Sequence, residues 1–548
     1  MHPQRTPRFV IGIDFGTESG RVMLVNAETG EEAAWALVRY PHGVLDSRLP
    51  GGTLLEKDWA LQDPRDYLTV LTEGIPKVLR DSGVQPDAVA GIGADFTTCT
   101  MLPTLADGTP LCTLPEFASN PHAWVKLWKH HAAQPEAERI NRIGAERKEE
   151  ALRIYSGKYS SEWFFSKVLQ ILDEAPEIYH AAGRLLEAAD WITWQLTGHE
   201  RRNECTAGYK GMWIKGKGFP SREFFRALDA RLENVVAEKL AERFDPPGTR
   251  AGGLSAEMAR LTGLAEGTPV AVGVGDAHAA VPACGVVRPG SLCMIMGTSL
   301  CHMLLADQRS TVEGVCGVVE NGIVPGYWGY EAGQAAVGDI FAWWFRTSGQ
   351  SPDALTERAL RLRPGESGLL ALDWWNGNRS VLMDADLSGV LVGATLATRP
   401  EEIYRALVEA TAFGTYTVIR AFESQGIAIR DLVACGGLCD SPLVMQIFAD
   451  VTNRTIRVPR SVQASGLGAA MHAAVAAGVY PDFARAAERM VGAESRRFQP
   501  DPAAHAIYEQ LYAEYLPLHD YFGRGANPVL KRIKALGRAA SRSAVPAI

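Results

Sequence analysis

The chain has 548 residues, 47% hydrophobic and 22% charged, with a formal net charge of −8. That length predicts about three or four domains, or two large ones with insertions, and leaves ample apolar content for large cores. The acidic balance argues against a nucleic-acid scaffold, and no run of about 18 apolar residues is present to span a membrane. The nine cysteines are scattered without a paired zinc-like spacing and read as reduced, mostly buried thiols. The N-terminus lacks the apolar core and cleavage site of a signal peptide, so the cytoplasm is the default expectation.

In chain order, Ile11-Gly12-Ile13-Asp14-Phe15 and Arg21-Val22-Met23-Leu24-Val25 are strand-like runs joined across Gly16-Thr17. They predict a β-hairpin over residues 8–25. A glycine at the tip lets backbone approach a ligand closely, and exposed N–H groups beside hydroxyls make a phosphate cradle. Asp14 is either a turn residue or a carboxylate placed to hold Mg²⁺ through water. Residues 34–60 read as polar turns. The spacing of Tyr67, Val70, Leu71, Ile75 and Val78 predicts a helix over residues 66–79, kinked at Pro76. Residues 89–94 read as a buried strand that delivers Asp95-Phe96-Thr97-Thr98 to a sheet edge, where α/β folds gather their sites. A plain polar turn is an equal reading of that stretch.

Pro121 after Asn120 predicts a helix start, which sets Trp124 and Trp128 on one face. The pair is either core or a flat apolar platform for a sugar ring. His130 and His131 are adjacent, face different ways and offer no metal site. Residues 161–197 read as helical, closed by Gly198. Residues 203–211 read as a polar loop, in which Lys210 by itself is a weak candidate. The apolar run 269–274 ends in Gly275-Asp276 and a small-residue helix follows. Asp276 is either an N-cap or a carboxylate presented at the mouth of a cleft, and from this segment alone the cap stands ahead.

Arg288-Pro289-Gly290 marks a lobe boundary. A second hairpin follows at residues 291–305, with Gly297-Thr298-Ser299 at its tip. Two such hairpins, one near the start and one past the middle, suggest two similar lobes closing on one polyphosphate. Glu331 and Gln334 end an aromatic strand, and helices are predicted at 335–346 and 402–424. The strand 431–435 runs into Gly436-Gly437, a turn that admits a nucleotide against the backbone. Residues 464–477 predict a close-packing helix of small residues. Neither a Gly-x-x-x-x-Gly-Lys-Ser/Thr loop nor a Gly-x-Gly-x-x-Gly fingerprint is present. From about residue 525 the chain turns basic and reads as a flexible solvated tail through Arg524, Lys531, Arg532, Lys534, Arg538 and Arg542.

Taken together, the paired hairpins, Asp14, Asp276 and the Gly436-Gly437 turn resemble the sugar-kinase branch of the actin/hexokinase/Hsp70-like ATPases. More narrowly, the chain resembles the FGGY carbohydrate kinases from residue 8 to about 515. The general features are Ala189-Asp190-Trp191, Gly275-Asp276 and Gly436-Gly437. Longer stretches resemble the ketopentose kinases of that family: 121–131, Cys205-Thr206-Ala207-Gly208-Tyr209-Lys210, 329–334, and Asp373-Trp374-Trp375-Asn376-Gly377-Asn378-Arg379.

The resemblance implies an α/β fold of two RNase H-like lobes with a cleft between them. Residues 1–287 would be mainly sugar-binding, 288–524 mainly ATP-binding, and 525–548 the tail. It implies ATP-dependent phosphorylation of L-ribulose to L-ribulose 5-phosphate in arabinose breakdown, with Mg²⁺. Asp276 would be the general base; Lys210, Glu331, Trp124 and Ala94 would adjoin the sugar. Gly16, Thr17, Gly297, Thr298 and Ser299 would grip phosphates, Gly436 and Gly437 would border adenosine, and Asp14 would orient the metal. The chain departs from the family pattern at Cys439-Asp440-Ser441 and Ser465-Gly466, which leaves the adenine contacts open. The rival readings are another FGGY kinase, acting on D-ribulose, xylulose or a related polyol, and a non-catalytic actin-like ATPase. Neither nucleic acid nor membrane is expected as a partner, and a homodimer is left open.

Overall fold

The computed structural model describes residues 8–543 except 242, 462 and 493–495. Two seven-stranded mixed sheets organise it. The first is nucleated by the predicted hairpin, Phe9–Phe15 against Ser19–Asn26, in a one-to-one register from Phe9↔Asn26 to Phe15↔Gly20. Glu32–Arg39 extends it on one side, and Val89–Phe96 joins Phe9–Phe15 in parallel on the other. Pro269–Ala271, Val274–Gly275 and Arg250–Gly253 complete that side. The second sheet repeats the plan. Ser291–Met296 and Leu300–Ala306 form the hairpin, Trp328–Gln334 and Gly317–Glu320 extend it, and Asp431–Cys435 pairs in parallel with Ser291–Met296. Ile456–Val458 and Arg496–Phe498 finish it. The inner strands are apolar on both faces because helices cover both faces.

One helix binds the halves together. Ala464–Ala476, late in the chain, lies on the first sheet and against the helix Asp276–Ala283. A Cβ at Gly12 would collide with the Gly466 carbonyl, one at Gly93 with that of Ala469, and one at Gly468 with that of Ala279. The small-residue run is thus a close-packing surface, and it fixes Asp14 and Asp276 relative to each other.

Several segments differ from the sequence-based expectation. A third strand, Glu32–Arg39, runs into the region 34–60 expected as turns; its half-exposed edge lacks the continuous apolar run of a central strand. The kink at Pro76 takes the form of a π-helical turn, Val70–Gly74, between Pro64–Thr69 and Ile75–Ser82, because proline withholds a helical N–H. Residues 161–197 are not one helical stretch: Arg184–Glu187 is a strand between Pro176–Ala181 and Ala188–Thr197. No helix carries Trp124 and Trp128. Pro121–Ala123 is a single 3₁₀ turn that passes into the strand Val125–Lys126.

The basic tail is also more ordered than expected. Val529–Ser543 is a helix, Lys531 pairs with Asp384, and Lys534 Nζ donates to the Ala385 carbonyl at 2.6 Å. Leu530 packs on the main core, while Ile533 and Leu536 stay exposed, so one apolar contact and these polar ones dock the helix. Residues 544–548 of the expected tail lie outside the described residues. No helix among the described residues is long and apolar enough to cross a membrane.

Candidate functional site

The first hairpin turn is tight. Gly16 N–H donates to the Ser19 carbonyl at 3.0 Å. Thr17 is held from the same lobe: its carbonyl accepts from Gln62 Nε2 at 2.7 Å and its Oγ1 from Trp128 Nε1 at 3.1 Å. Trp128 therefore reaches the hairpin, whereas Trp124 is core. Trp124 is 3% exposed, and its indole N–H is satisfied by the Ala118 carbonyl at 3.0 Å.

Beside that hairpin lie three carboxylates from three elements. Asp14 and Asp95 are register partners on adjacent parallel strands. Asp276 follows Val274–Gly275, a short strand that pairs Val274 with Asp95 and Gly275 with Phe96. Ala94, one residue before Asp95, is buried. Arg21 Nη1 meets Asp14 Oδ2 at 3.2 Å. Asp95 is fully buried, and neither of its oxygens receives a hydrogen bond from an N–H or hydroxyl of the described residues. Burial, then the charges of Asp14 and Asp276, drive the Asp95 pKa well up; burial also raises that of Asp14, against the Asp95 contact and Arg21. Two carboxyl groups so placed share a proton or hold a cation. The donor set is hard oxygen, which suits Mg²⁺. Asp95 was legible only as the end of a strand; its isolation depends on the strands stacked around it.

Gly275, not Asp276, occupies the N-cap of the following helix, with no side-chain capping bond. Asp276 is half-buried at the first helical position, and its Oδ1 accepts the Ala277 N–H at 2.8 Å. Burial outweighs that bond and, with the Asp14 charge, lifts the Asp276 pKa to about 6.

Lys210 is far from a surface residue. The stretch expected as a loop is the helix Glu204–Lys210, capped by Asn203, whose side chain accepts the Thr206 N–H at 2.7 Å. Lys210 is 4% exposed and donates to both oxygens of Glu331 at 2.9 Å. Its ammonium also lies 5.1 Å from the Trp163 ring centre. Glu331 sits on Trp328–Gln334 of the second sheet, so this ion pair joins the two lobes. His278, two residues after Asp276, brings Nε2 to 3.5 Å from Glu331. Burial works against ionisation of all three, yet their mutual charges win. Glu331 is held below, and Lys210 above, the ordinary range. His278 is pushed up to about 10 by Cys205 and Glu331. Nothing around His278 in the sequence marks it as part of this cluster, because its partner Glu331 lies in the other lobe.

The second hairpin ends in Gly297-Thr298-Ser299. Gly297 N–H donates to the Ser299 carbonyl at 2.9 Å, and the Thr298 carbonyl accepts from Val337 N–H at 2.9 Å. Gly436 and Gly437 are exposed at the end of the adjacent strand, where Ile295 is paired with Cys435. Gly436 has φ 100° and would drive a Cβ into the Met296 carbonyl, so only glycine lets this turn lie beside the hairpin tip. Apart from Trp124 in the core, the predicted residues thus fall into three groups: the first hairpin with Ala94, Asp14 and Asp276 beside it, the Lys210–Glu331 pair, and the second hairpin with its Gly-Gly turn.

Models of the FGGY family of carbohydrate kinases match residues 9–282 as its N-terminal domain and 292–477 as its C-terminal domain. The chain belongs to the FGGY family of carbohydrate kinases. It is 55% identical to a ribulokinase of Halalkalibacterium halodurans over 97% of this chain and 98% of that one. It is 48% identical to a ribulokinase of Mycolicibacterium smegmatis over 99% of each. Among solved structures, a xylulose kinase of Lactobacillus acidophilus superposes with a TM-score of 0.81 at 18% identity, covering 94% of this chain and 99% of that one. That likeness speaks for the fold: two actin-like ATPase lobes.

Proposed function

We propose that this FGGY kinase transfers the γ-phosphoryl group of ATP to the terminal hydroxyl of L-ribulose, giving L-ribulose 5-phosphate for arabinose breakdown. The observation that carries the acceptor is the near-full-length likeness to ribulokinases. The geometry fits the chemistry, since phosphoryl transfer asks a protein for positioning and charge neutralisation more than for covalent work. In our reading Asp276 takes the proton of the acceptor hydroxyl, and Lys210 and Glu331 hold the sugar. The Ala94 backbone and the wall built on Trp124 flank it. Thr17, Thr298 and Ser299 donate to phosphates, Gly16 and Gly297 close the two turns tightly enough for the phosphates to approach the backbone, and Gly436-Gly437 leaves room for adenosine. Asp14 and Asp95 would hold Mg²⁺ through water, and the ion would supply charge neutralisation at the phosphates. We assign the sugar mainly to residues 1–287 and the nucleotide mainly to 288–524. All nine cysteines are free thiols, which suits a reducing compartment and supports a cytoplasmic placement.

The test is ADP release measured with L-ribulose, D-ribulose, L-xylulose and D-xylulose as acceptors. The highest kcat/KM is expected with L-ribulose. A preference for a xylulose would overturn the acceptor assignment, and nucleotide turnover indifferent to sugar would overturn the kinase reading.

Asp95→Asn separates the metal from the sugar. An amide cannot supply the second negative charge, so the affinity for Mn²⁺ in the presence of a non-hydrolysable ATP analogue should fall by about 10- to 100-fold. Paramagnetic resonance reads this directly. Sugar binding should persist, and unchanged Mn²⁺ binding would return Asp95 to a structural role.

A further inference from the structure

Three thiols outside the site converge on one point. Cys293 lies on Ser291–Met296 and Cys435 on Asp431–Cys435, and the register sets Cys293 opposite Val433 and Ile295 opposite Cys435. A spacing of two along the strands turns both side chains to the same face. Cys284, the C-cap of Asp276–Ala283, comes down on that face. All three are buried, and their sulfur atoms lie within 4.8 Å of one another. A fourth buried thiol, Cys439, is felt electrostatically by all three but lies outside the cluster. Hydrogen bonds among the three thiols, followed by burial, hold their pKa values well above the ordinary thiol value.

We propose that Cys284, Cys293 and Cys435 form a binding site for a soft, thiophilic cation of the Zn²⁺ or Cu⁺ class, which couples the Asp276 helix to the strand before Gly436. Sulfurs each about 2.3 Å from one ion stand about 4 Å apart in a trigonal arrangement, so the observed cluster needs little rearrangement. Thiolate donors select this class over Mg²⁺ or Ca²⁺. A surface cavity of about 470 Å³, lined in part by Cys284, Val433, Arg457 and Val491, reaches the cluster at Cys284. Arg457 at that cavity is engaged by Asp431, with Nε 3.0 Å from its Oδ2, so its charge is balanced. Binding forms one sulfur–metal bond per cysteine and releases one proton from each thiol to solvent, with no electron transferred.

The consequence follows from where the three cysteines sit. Cys284 closes the helix that begins at Asp276, Cys293 leads toward Gly297, and Cys435 immediately precedes Gly436. An ion held by all three would tie the helix of the candidate base to both nucleotide-side turns and resist their relative movement.

The test uses the reduced full-length protein and Cd²⁺ as probe. An ultraviolet thiolate-to-cadmium charge-transfer band should saturate at one ion per chain, with proton release seen by a pH indicator and competition by Zn²⁺. Turnover should fall as the band grows. Cys293→Ala and Cys435→Ala, checked for folding by circular dichroism, should lose the band, and Cys293→Ala should lose the inhibition. Cys112→Ala, which removes a buried thiol elsewhere, should keep both. Absence of the band in the wild-type protein, its survival in both cluster variants, or its loss in Cys112→Ala would overturn the site. Binding without any change in turnover would overturn the coupling.

Discussion

Asp276→Asn should leave a folded protein whose turnover is lower by about 10² or more. The fold should survive because the N-cap of the helix is Gly275, and the one bond Asp276 makes in it, from the Ala277 N–H to Oδ1, is one an amide oxygen can accept. What the amide cannot do is take a proton. The acceptor of the proposed reaction is a primary alcohol, a poor nucleophile until its proton has a destination. A carboxylate within reach supplies that destination and orients the oxygen. A loose transition state, with little negative charge demanded of the nucleophile, keeps the effect toward the lower end of the usual range for general bases.

The same residue sets a pH limb. Its pKa lies near 6, raised by burial, and the base is the ionised form. Turnover should therefore fall as pH drops through about 6 and be independent of this group well above it. The Asn variant should lack that acid limb. Thermal melting, nucleotide binding and a pH–rate profile on both proteins decide the matter. An Asp276→Asn enzyme within a few-fold of wild-type turnover, still showing the acid limb, would exclude Asp276 as the base.

The two hairpins were legible because each is short-range: two apolar runs, a glycine turn and a hydroxyl fit within about fifteen residues. The helix 464–476 was legible for a related reason, since a run of alanine and glycine announces close packing even when the partner is unknown. The lobe-joining features were not legible as geometry. Nothing local to Lys210 shows that Glu331, on a strand of the other sheet, will meet it, and the Gly-Tyr-Lys-Gly run reads as a turn until Asn203 caps it into a helix. Asp95 was visible as a polar residue at a strand end, but its lack of donors is created by Phe9–Phe15 on one side and Val274–Gly275 on the other. Trp124 and Trp128 were misplaced because their spacing of four imitates a helical face, whereas backbone pairing with Leu61–Gln62 draws Val125–Lys126 into a strand. The tail misled in the opposite direction: its charges dominate the composition, while the apolar contact of Leu530 decides its docking.

Lys210→Ala should raise the sugar KM by about ten- to a hundredfold, the worth of a hydrogen bond from a charged donor, while the KM for ATP stays near its wild-type value. Among the described residues Lys210 makes no side-chain hydrogen bond to either glycine hairpin tip; its polar partners are Glu331 and, through its own carbonyl, the Tyr159 hydroxyl. A purely structural alternative has to be separated from this. A buried ion pair between lobes loses about 3–5 kcal/mol when one partner is removed, because the other charge is left uncompensated. Here the loss should be smaller, since His278 remains 3.5 Å from Glu331 and its raised pKa favours the imidazolium beside that carboxylate. Lys210→Met refines the comparison: it keeps the aliphatic stem beside Trp163 and deletes only the ammonium. If the pair serves the sugar, Met and Ala variants should share the raised sugar KM, and the Met variant should melt closer to wild type than the Ala variant. If the pair is only a pin between lobes, both variants should lose melting temperature while the sugar KM of the protein that remains folded stays unchanged. Glu331→Gln gives the complementary measurement. It leaves Lys210 buried without its anion and takes away a charge that favours the His278 imidazolium, so it should melt lower than either lysine variant and raise the sugar KM as well. A Glu331→Gln protein as stable as Lys210→Met would show that the carboxylate is not the centre of this cluster.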